Sequence, residues 1–334
     1  MNIAVVYSNP SRRILKTEYG IADEDSSVIA RMVVKGLEAR GFSVTIYSIS
    51  EDNIEDISRI KADCIFNLIE WCGQDISLSQ KAFDFLRKLD VPITGANEYM
   101  FVLSGDKIRA KLEFNKIGMP TPISCVLVTG EEPIPTTLPY PVIVKPSLEH
   151  CSMGLSYDAI AYDESELRKV VKRQIITFDQ PVLVEEFIKG REFLVYLLEV
   201  ENDVNILPIE EMIFSGKHSL NFQTFKTKWD PSSEDYTSTD VVIAKLSDSD
   251  RKIIEKVCRN TFIKMGFTGY ARFDLRFRNG IPYILETNAN PSVYDNADEL
   301  VDIESEVIWG IKFPDYLLAI VNSAMYHYKK GDRV

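Results

Sequence analysis

Apolar and polar positions divide the first hundred residues into short apolar runs and amphipathic stretches. Ile3 to Tyr7 is a short apolar run that reads as a strand. Over residues 25–40, Val28, Ile29, Met32, Val33 and Leu37 recur at helical spacing, and Gly41 follows as a stop. Val44 to Tyr47 and Asp63 to Leu68 read as the second and third strands. Ser79 to Leu89 is amphipathic, with Ala82, Phe83, Leu86 and Leu89 on one face, and Val91 to Thr94 reads as a fourth strand. This alternation predicts a small parallel sheet wrapped by helices.

After residue 103 the texture changes. The pattern predicts a helix from Lys107 to Lys116, ended at Gly118, then a Pro-rich loop and a strand from Val142 to Pro146. A charged helix over 164–173 and strands from Pro181 to Ile188 and from Glu192 to Glu199 follow. Residues 215–239 read as polar and irregular, a length of loop that is uncommon without a functional reason. A helix over 248–265, strands from Gly269 to Phe277 and from Pro282 to Asn288, and a closing helix from Phe313 to Tyr328 complete the chain.

Length and composition bound this picture. At roughly 150 residues per domain, 334 residues suggest two domains or three small ones. A hydrophobic fraction of 45% with 26% charged residues is that of an ordinary folded protein. The net charge of −12 argues against a general nucleic-acid binder, which needs a basic face. The five cysteines include no CxxC pair, and the three histidines are scattered, so no disulfide framework or zinc knuckle is indicated. The N-terminus lacks a signal-peptide pattern, and no apolar run approaches the roughly 18 residues of a membrane span. A cytoplasmic protein with no membrane partner is expected. Neither G-x-G-x-x-G after the first strand nor G-x-x-x-x-G-K-[ST] occurs, so a nucleotide would not be held by those loops.

The last two strands carry the clearest chemistry. In the run from Tyr270 to Phe277, Phe273, Leu275 and Phe277 point one way while Arg272, Asp274 and Arg276 point the other. Glu286 and Asn288 share a face of the next strand, and Asn279-Gly280 marks the turn. A two-residue turn would set Asp274 opposite Leu285; a three-residue loop would set Asp274 opposite Glu286 and Arg272 opposite Asn288. The second register would gather oxygen ligands suited to Mg²⁺, while a polar sheet face turned to solvent is the plainer alternative.

Two other segments invite comparison. Lys145 ends an apolar strand as a point charge available to phosphate oxygens, and the loop from Glu149 to Gly154 offers backbone N–H groups and the Ser152 hydroxyl to phosphates. Glu185 and Glu186 abut a second apolar strand, and Lys189-Gly190-Arg191-Glu192 follows, a pattern fitting recognition of a hydrogen-bonding ring and a ribose diol. Taken alone, each segment reads more simply as surface charge at a strand end.

The order of these motifs is more specific than any one of them. Lys107, Val-Lys-Pro, Val-Glu-Glu-Phe-Ile with Gly-Arg-Glu, Lys-Trp-Asp, Arg-Phe-Asp and Leu-Glu-Thr-Asn-Ala-Asn-Pro together closely resemble the ATP-grasp superfamily, and within it the D-alanine–D-alanine ligases and their relatives. The junction of Val91-Pro92-Ile93-Thr94-Gly95 with Ser104-Gly105-Asp106-Lys107 agrees, so the similarity spans essentially the whole chain.

The resemblance implies an α/β protein: an N-terminal Rossmann-like preATP-grasp domain (1–102), a central lid subdomain (103–180) and a C-terminal ATP-grasp subdomain (181–334). It implies that Lys107 and Lys145 contact ATP phosphates, that Glu185 and the backbone near Phe187 and Ile188 hold adenine, and that Glu192 holds the ribose. Lys228 would reach the γ-phosphate from the long loop, Asp274, Glu286 and Asn288 would bind two Mg²⁺, and Arg272 would stabilise the acyl phosphate and tetrahedral intermediate. With Ser152 at the phosphates, the implied activity is ATP-dependent carboxylate–amine ligation on amino-acid or peptide substrates, and a homodimer is expected. A D-alanine–D-alanine ligase proper and a nucleotide-binding module without ligase activity are the alternatives.

Departures fall on the amino-acid half. The Gly-Ser-Ser run of those ligases is His150-Cys151-Ser152 here, their Lys-Tyr pair is Lys228-Trp229, and their N-terminal glycine-rich segment is not recognisable after Tyr7. Beyond Pro291, where they place a small-residue turn, this chain has Asp295, Asp298, Glu299, Asp302, Glu304 and Glu306. Like charges there would disfavour an anionic acceptor, so a second substrate other than D-alanine is expected.

Overall fold

The computed structural model describes residues 1–20, 26–200, 203–293 and 310–331. The first apolar run is β1 (Asn2–Ser8), followed by α1 (Ser26–Glu38), β2 (Ser43–Ile49) and β3 (Cys64–Leu68). These strands form a parallel sheet in the order β2-β1-β3. β1 is central and covered on both faces, which is why it reads as unbroken apolar sequence. Ala30, Val33 and Leu37 of α1 close one face, and Ala82, Phe83 and Leu86 of α2 (Ile76–Leu86) close the other.

The expected fourth strand is reduced to a single bridge between Ile93 and Ile65. Pro92 offers only a carbonyl, which accepts from Ile65 N, and Thr94 N returns a bond to Ile65 O. The chain then turns at Gly95 (φ +86°), where an added Cβ would lie 2.0 Å from Asn290 Oδ1. That close approach fastens this turn to the far end of the chain, since Asn290 Oδ1 also accepts from Ala96 N at 2.8 Å.

Two capped helices lead out of this unit: α3 (Glu98–Gly105), capped by Asn97, and α4 (Lys107–Lys116), capped by Asp106. Next come β4 (Ser124–Leu127), β5 (Val142–Pro146), β6 (Ile160–Ala161), α5 (Glu164–Phe178) and β7 (Val182–Glu186). The strands make an antiparallel sheet in the order β4-β7-β5-β6. Val142, Val144, Val182 and Val184 pack under Leu167, Val170 and Val171 of α5. Period-two alternation therefore sends Ile143, Lys145 and Glu185 to the opposite face.

The rest builds a larger antiparallel sheet from β8 (Arg191–Val200), β9 (Asp203–Ile206), β10 (Glu210–Phe214), β11 (Thr239–Ile243), β12 (Tyr270–Arg278) and β13 (Ile281–Ala289). Its order is β11-β10-β8-β12-β13, with β9 on β8. Phe193, Val195, Leu197, Ala271, Phe273 and Leu275 pack on one face against the helix Asp248–Met265 and α4. Leu194, Tyr196, Leu198 and Tyr270 join the core that reaches the parallel sheet through the closing helix (Phe313–Lys330). The stretch 215–239 is not irregular throughout. It holds two short helices, Phe225–Trp229 capped by Thr224 and Glu234–Thr237 capped by Ser233. No helix among the described residues is long and apolar enough to cross a membrane.

Candidate active site

The hairpin of β12 and β13 settles the register in a way neither turn length alone anticipates. Arg278 faces Ile281, so the turn is two residues, Asn279 and Gly280, and Leu275 faces Ile284. A bulge then intervenes, and Asp274 faces Glu286 while Arg272 faces Asn288. The extra residue is Leu285, and the local kink lets Leu285 and Glu286 line the same cleft. Thus the tight turn implied by Asn-Gly and the convergence of the acidic side chains coexist.

Asp274 is buried and paired with Arg272, whose Nε lies 2.8 Å from Asp274 Oδ1. Burial raises the Asp274 pKa, with the Glu286 charge adding to it and Arg272 opposing. Burial would raise Glu286 too, but Lys107 and Lys145 outweigh it and hold that carboxylate below its usual range. The two carboxyl groups face each other across the hairpin. Asn288 Nδ2 lies 3.5 Å from Asp274 Oδ2, and exchanging the amide N and O assignments would present an oxygen instead.

This donor set fits a hard divalent cation: two facing carboxyl groups with an amide beside them. Among the described residues no group of three or more His, Cys, Asp or Glu could hold a metal by itself. An ion here would need further oxygens from phosphate or water, which is the usual manner of Mg²⁺ binding.

The lysines are fixed by acidic partners. Lys107, the first residue of α4, approaches Glu286 to 3.9 Å and donates to the Glu149 carbonyl. Lys145 Nζ is 2.7 Å from Glu185 Oε2. The other Glu185 oxygen pairs with Lys111, a residue that the sequence patterns did not single out. Its sequence signal is a lysine on the face of α4 that also buries Ala110 and Phe114. Glu185, 1% exposed, therefore serves two ammonium groups.

A cleft of about 590 Å³ opens between the two antiparallel sheets, with Lys145, Ser152, Glu185, Ile188, Glu192, Asp274, Leu285 and Glu286 in its walls. Phe187 N–H is already committed to Pro141 O, so the backbone donor expected near Phe187 is unavailable. Ile188, 2% exposed, lines the cleft, and its N–H finds no acceptor among the described residues. Glu192 pairs with Arg276, which also donates to the carbonyls of Ile188, Gly190 and Asn221. Arg276 is a site residue that alternation placed on the correct face without revealing its use. Gly190 permits the turn before Glu192, since a Cβ there would lie 2.2 Å from Phe277 O.

The loop after β5 differs in chemistry. Cys151 and Ser152 both have positive φ (+51° and +59°). His150 Nδ1 lies 3.1 Å from Cys151 Sγ, and the imidazole also hydrogen-bonds Cys72 of the N-terminal unit. Burial would lower the His150 pKa, yet contact with the two thiols carries it well above the ordinary value. Trp229 Nε1 donates to Cys151 O at 3.3 Å, and Phe225 and Trp229 pack with Met153 and Phe178. That docking sets the pose of the 225–229 helix. The Lys228 ammonium lies over the Trp229 ring, 5.5 Å from the centroid, and Lys228 is not among the cleft-lining residues. The acidic run from Asp295 to Glu306 lies outside the described residues.

A small parallel sheet followed by two antiparallel sheets that close on a cleft of lysines and acidic residues defines the ATP-grasp class. Comparisons with known proteins agree. The family described as "D-ala D-ala ligase C-terminus" matches residues 129–306, and the chain belongs to that family and is an ATP-dependent carboxylate–amine ligase. It is 27% identical over 302 residues to a D-alanine–D-alanine ligase of Thermotoga petrophila, covering 90% of this chain and 91% of that one. A D-alanine–D-alanine ligase of Idiomarina loihiensis is also 27% identical, with 90% and 93% covered. Among solved structures, the D-alanine–D-alanine ligase of Bacillus anthracis complexed with ATP shares the fold with a TM-score of 0.72 at 20% identity, covering 99% of each chain. The VanG D-Ala:D-Ser ligase of Enterococcus faecalis gives 0.72 at 18% identity, covering 97% and 99%.

Proposed function

We propose that the enzyme phosphorylates the carboxylate of an amino acid or short peptide with ATP and couples the acyl phosphate to an amine, in the cytoplasm. The observation carrying this reading is that Lys145, Asp274 and Glu286 line one cleft together with Ile188, whose N–H has no acceptor among the described residues. Ile188 N–H would donate to a ring nitrogen of adenine, and Glu192, steadied by Arg276, would accept from the ribose hydroxyls. Lys107 and Lys145 would neutralise the polyphosphate. Asp274, Glu286 and Asn288 would hold Mg²⁺, which when bound supplies charge neutralisation to the phosphoryl group.

In the first step a substrate carboxylate oxygen attacks the γ-phosphorus and ADP leaves with the broken P–O bond's electrons. In the second, the amine attacks the acyl carbon, phosphate departs, and the amine proton passes to solvent or base. Arg272, beside Asp274, would steady the oxyanion of the tetrahedral intermediate.

The amino-acid half supports a changed substrate. Cys151 and His150 stand where the resembled ligases carry a Gly-Ser-Ser run, Trp229 replaces their tyrosine, and the indole is committed to the Cys151 carbonyl. D-alanine as both substrates is the second reading, favoured by the names of the relatives. ADP release measured across amino-acid and dipeptide pairs, with the product mass determined, separates them. We expect a productive pair other than D-alanine with itself; robust dipeptide formation from D-alanine alone overturns that expectation, and no ADP release with any pair overturns ligation.

Loss of one charge-assisted phosphate contact should weaken ATP binding by about 10- to 150-fold. Lys107→Ala and Lys145→Ala are each expected to do so in titration calorimetry. Unchanged affinity in both would remove the lysines from the nucleotide site.

A further inference from the structure

Helix α4 carries a second lysine that the proposed chemistry does not use. Lys111 lies one turn after Lys107, and its side chain is only 4% exposed. A buried ammonium is costly unless it is paired and hydrogen-bonded. Two contacts meet that need: the Glu185 carboxylate on β7 and the Thr121 hydroxyl.

Each contact leads onward to the proposed chemistry. Glu185 turns its second oxygen to Lys145, 2.7 Å away. Thr121 Oγ1 donates to Ile284 O at 2.8 Å, and Ile284 N donates to Pro120 O at 2.9 Å. Ile284 immediately precedes the bulge residue Leu285 and then Glu286. One buried side chain is therefore tied to the sheet that carries Lys145 and to the strand that carries Glu286.

We infer that Lys111 is a positioning residue that fixes Lys145 and Glu286 relative to each other, through Glu185 on one side and Thr121 with the Ile284 carbonyl on the other. Its charge matters as well as its shape. Facing Lys145 alone, Glu185 would give both oxygens to it and neutralise it. Lys111 claims one of those oxygens, so Lys145 keeps attraction for a further anion. Burial lowers the Lys111 pKa, and Glu185 opposes that shift. The inference rests on the reading that Lys145 meets ATP phosphates, and it adds a residue that touches neither the nucleotide nor the metal ligands directly.

Calorimetric titration of ATP, with and without Mg²⁺, tests it on the full chain carrying Lys111→Met, Thr121→Val, Lys145→Met, or Lys111→Met with Lys145→Met. Loss of a residue that orients a ligand-binding group commonly costs about 10- to 100-fold, and that loss is expected for Lys111→Met. The double variant should be no weaker than Lys145→Met by more than about threefold, because both changes break one chain of contacts. Thr121→Val should weaken binding mainly when Mg²⁺ is present. A purely structural lysine would lower the melting temperature while leaving ATP affinity per folded molecule intact, and that result overturns the inference, as do additive losses in the double variant. Should Lys111→Met not fold, Thr121→Val decides: affinity equal to wild type with Mg²⁺ present overturns the coupling to Glu286. Unchanged affinity in Lys145→Met refutes the phosphate reading itself, and the inference falls with it.

Discussion

Glu286→Gln is expected to cut ADP formation by about 100-fold or more while the protein still folds. The substitution keeps the volume and one oxygen, so the bulge at Leu285 and the core beneath it are undisturbed. It removes the charge that Lys107 and Lys145 hold ionised and that completes the acidic pair with Asp274. Loss of groups that merely orient a metal ligand commonly costs about 10- to 100-fold, so loss of a ligand charge should cost at least the upper end. The measurement is steady-state ADP release alongside a melting curve. Turnover within a few-fold of wild type, at unchanged melting temperature, would place the metal site elsewhere.

The largest effect on stability is expected at Glu185. Replacing it by Leu leaves Lys111 and Lys145 buried with their shared anion gone. Breaking a buried ion pair from one side typically costs about 3–5 kcal/mol, which should appear as a lowered urea midpoint. The pH dependence has a definite sign. Burial already lowers the Lys111 pKa, and Glu185 opposes that shift. Without Glu185 the lysines should bind protons less readily folded than unfolded. The unfolded state then holds more protons, so stability rises with pH. The deficit of Glu185→Leu relative to wild type should therefore shrink as the pH approaches the ordinary lysine range. A deficit that grows with pH, or none at all, would contradict the shared-anion geometry.

The sequence by itself determined a great deal here, because most of the fold is written in short periods. Period-two alternation placed Arg272, Asp274 and Arg276 on one side of β12 and the phenylalanines on the other, and the structure keeps that division. The order of motifs was sufficient to place the chain among ATP-grasp ligases. The helices over 107–116 and 248–265 were legible from spacing, with Asp106 and Ser247 as their caps.

Tertiary structure decided what depends on partners distant in sequence. Whether Asp274 meets Glu286 turned on a one-residue bulge at Leu285, which the pattern of β13 does not announce. Glu185 read as a strand-end carboxylate until packing set Lys111 and Lys145 against it. The resemblance set Lys228 at the γ-phosphate, but only packing showed Phe225 and Trp229 in an apolar cluster that sets the pose of their helix and lays the Lys228 ammonium over the Trp229 ring. His150 read as a scattered histidine until Cys72, from the N-terminal unit, reached it. The physical reason is common to all four. Alternation and capping are set by neighbours along the chain, whereas ion pairing and burial are set by whichever side chains the packed sheets bring together.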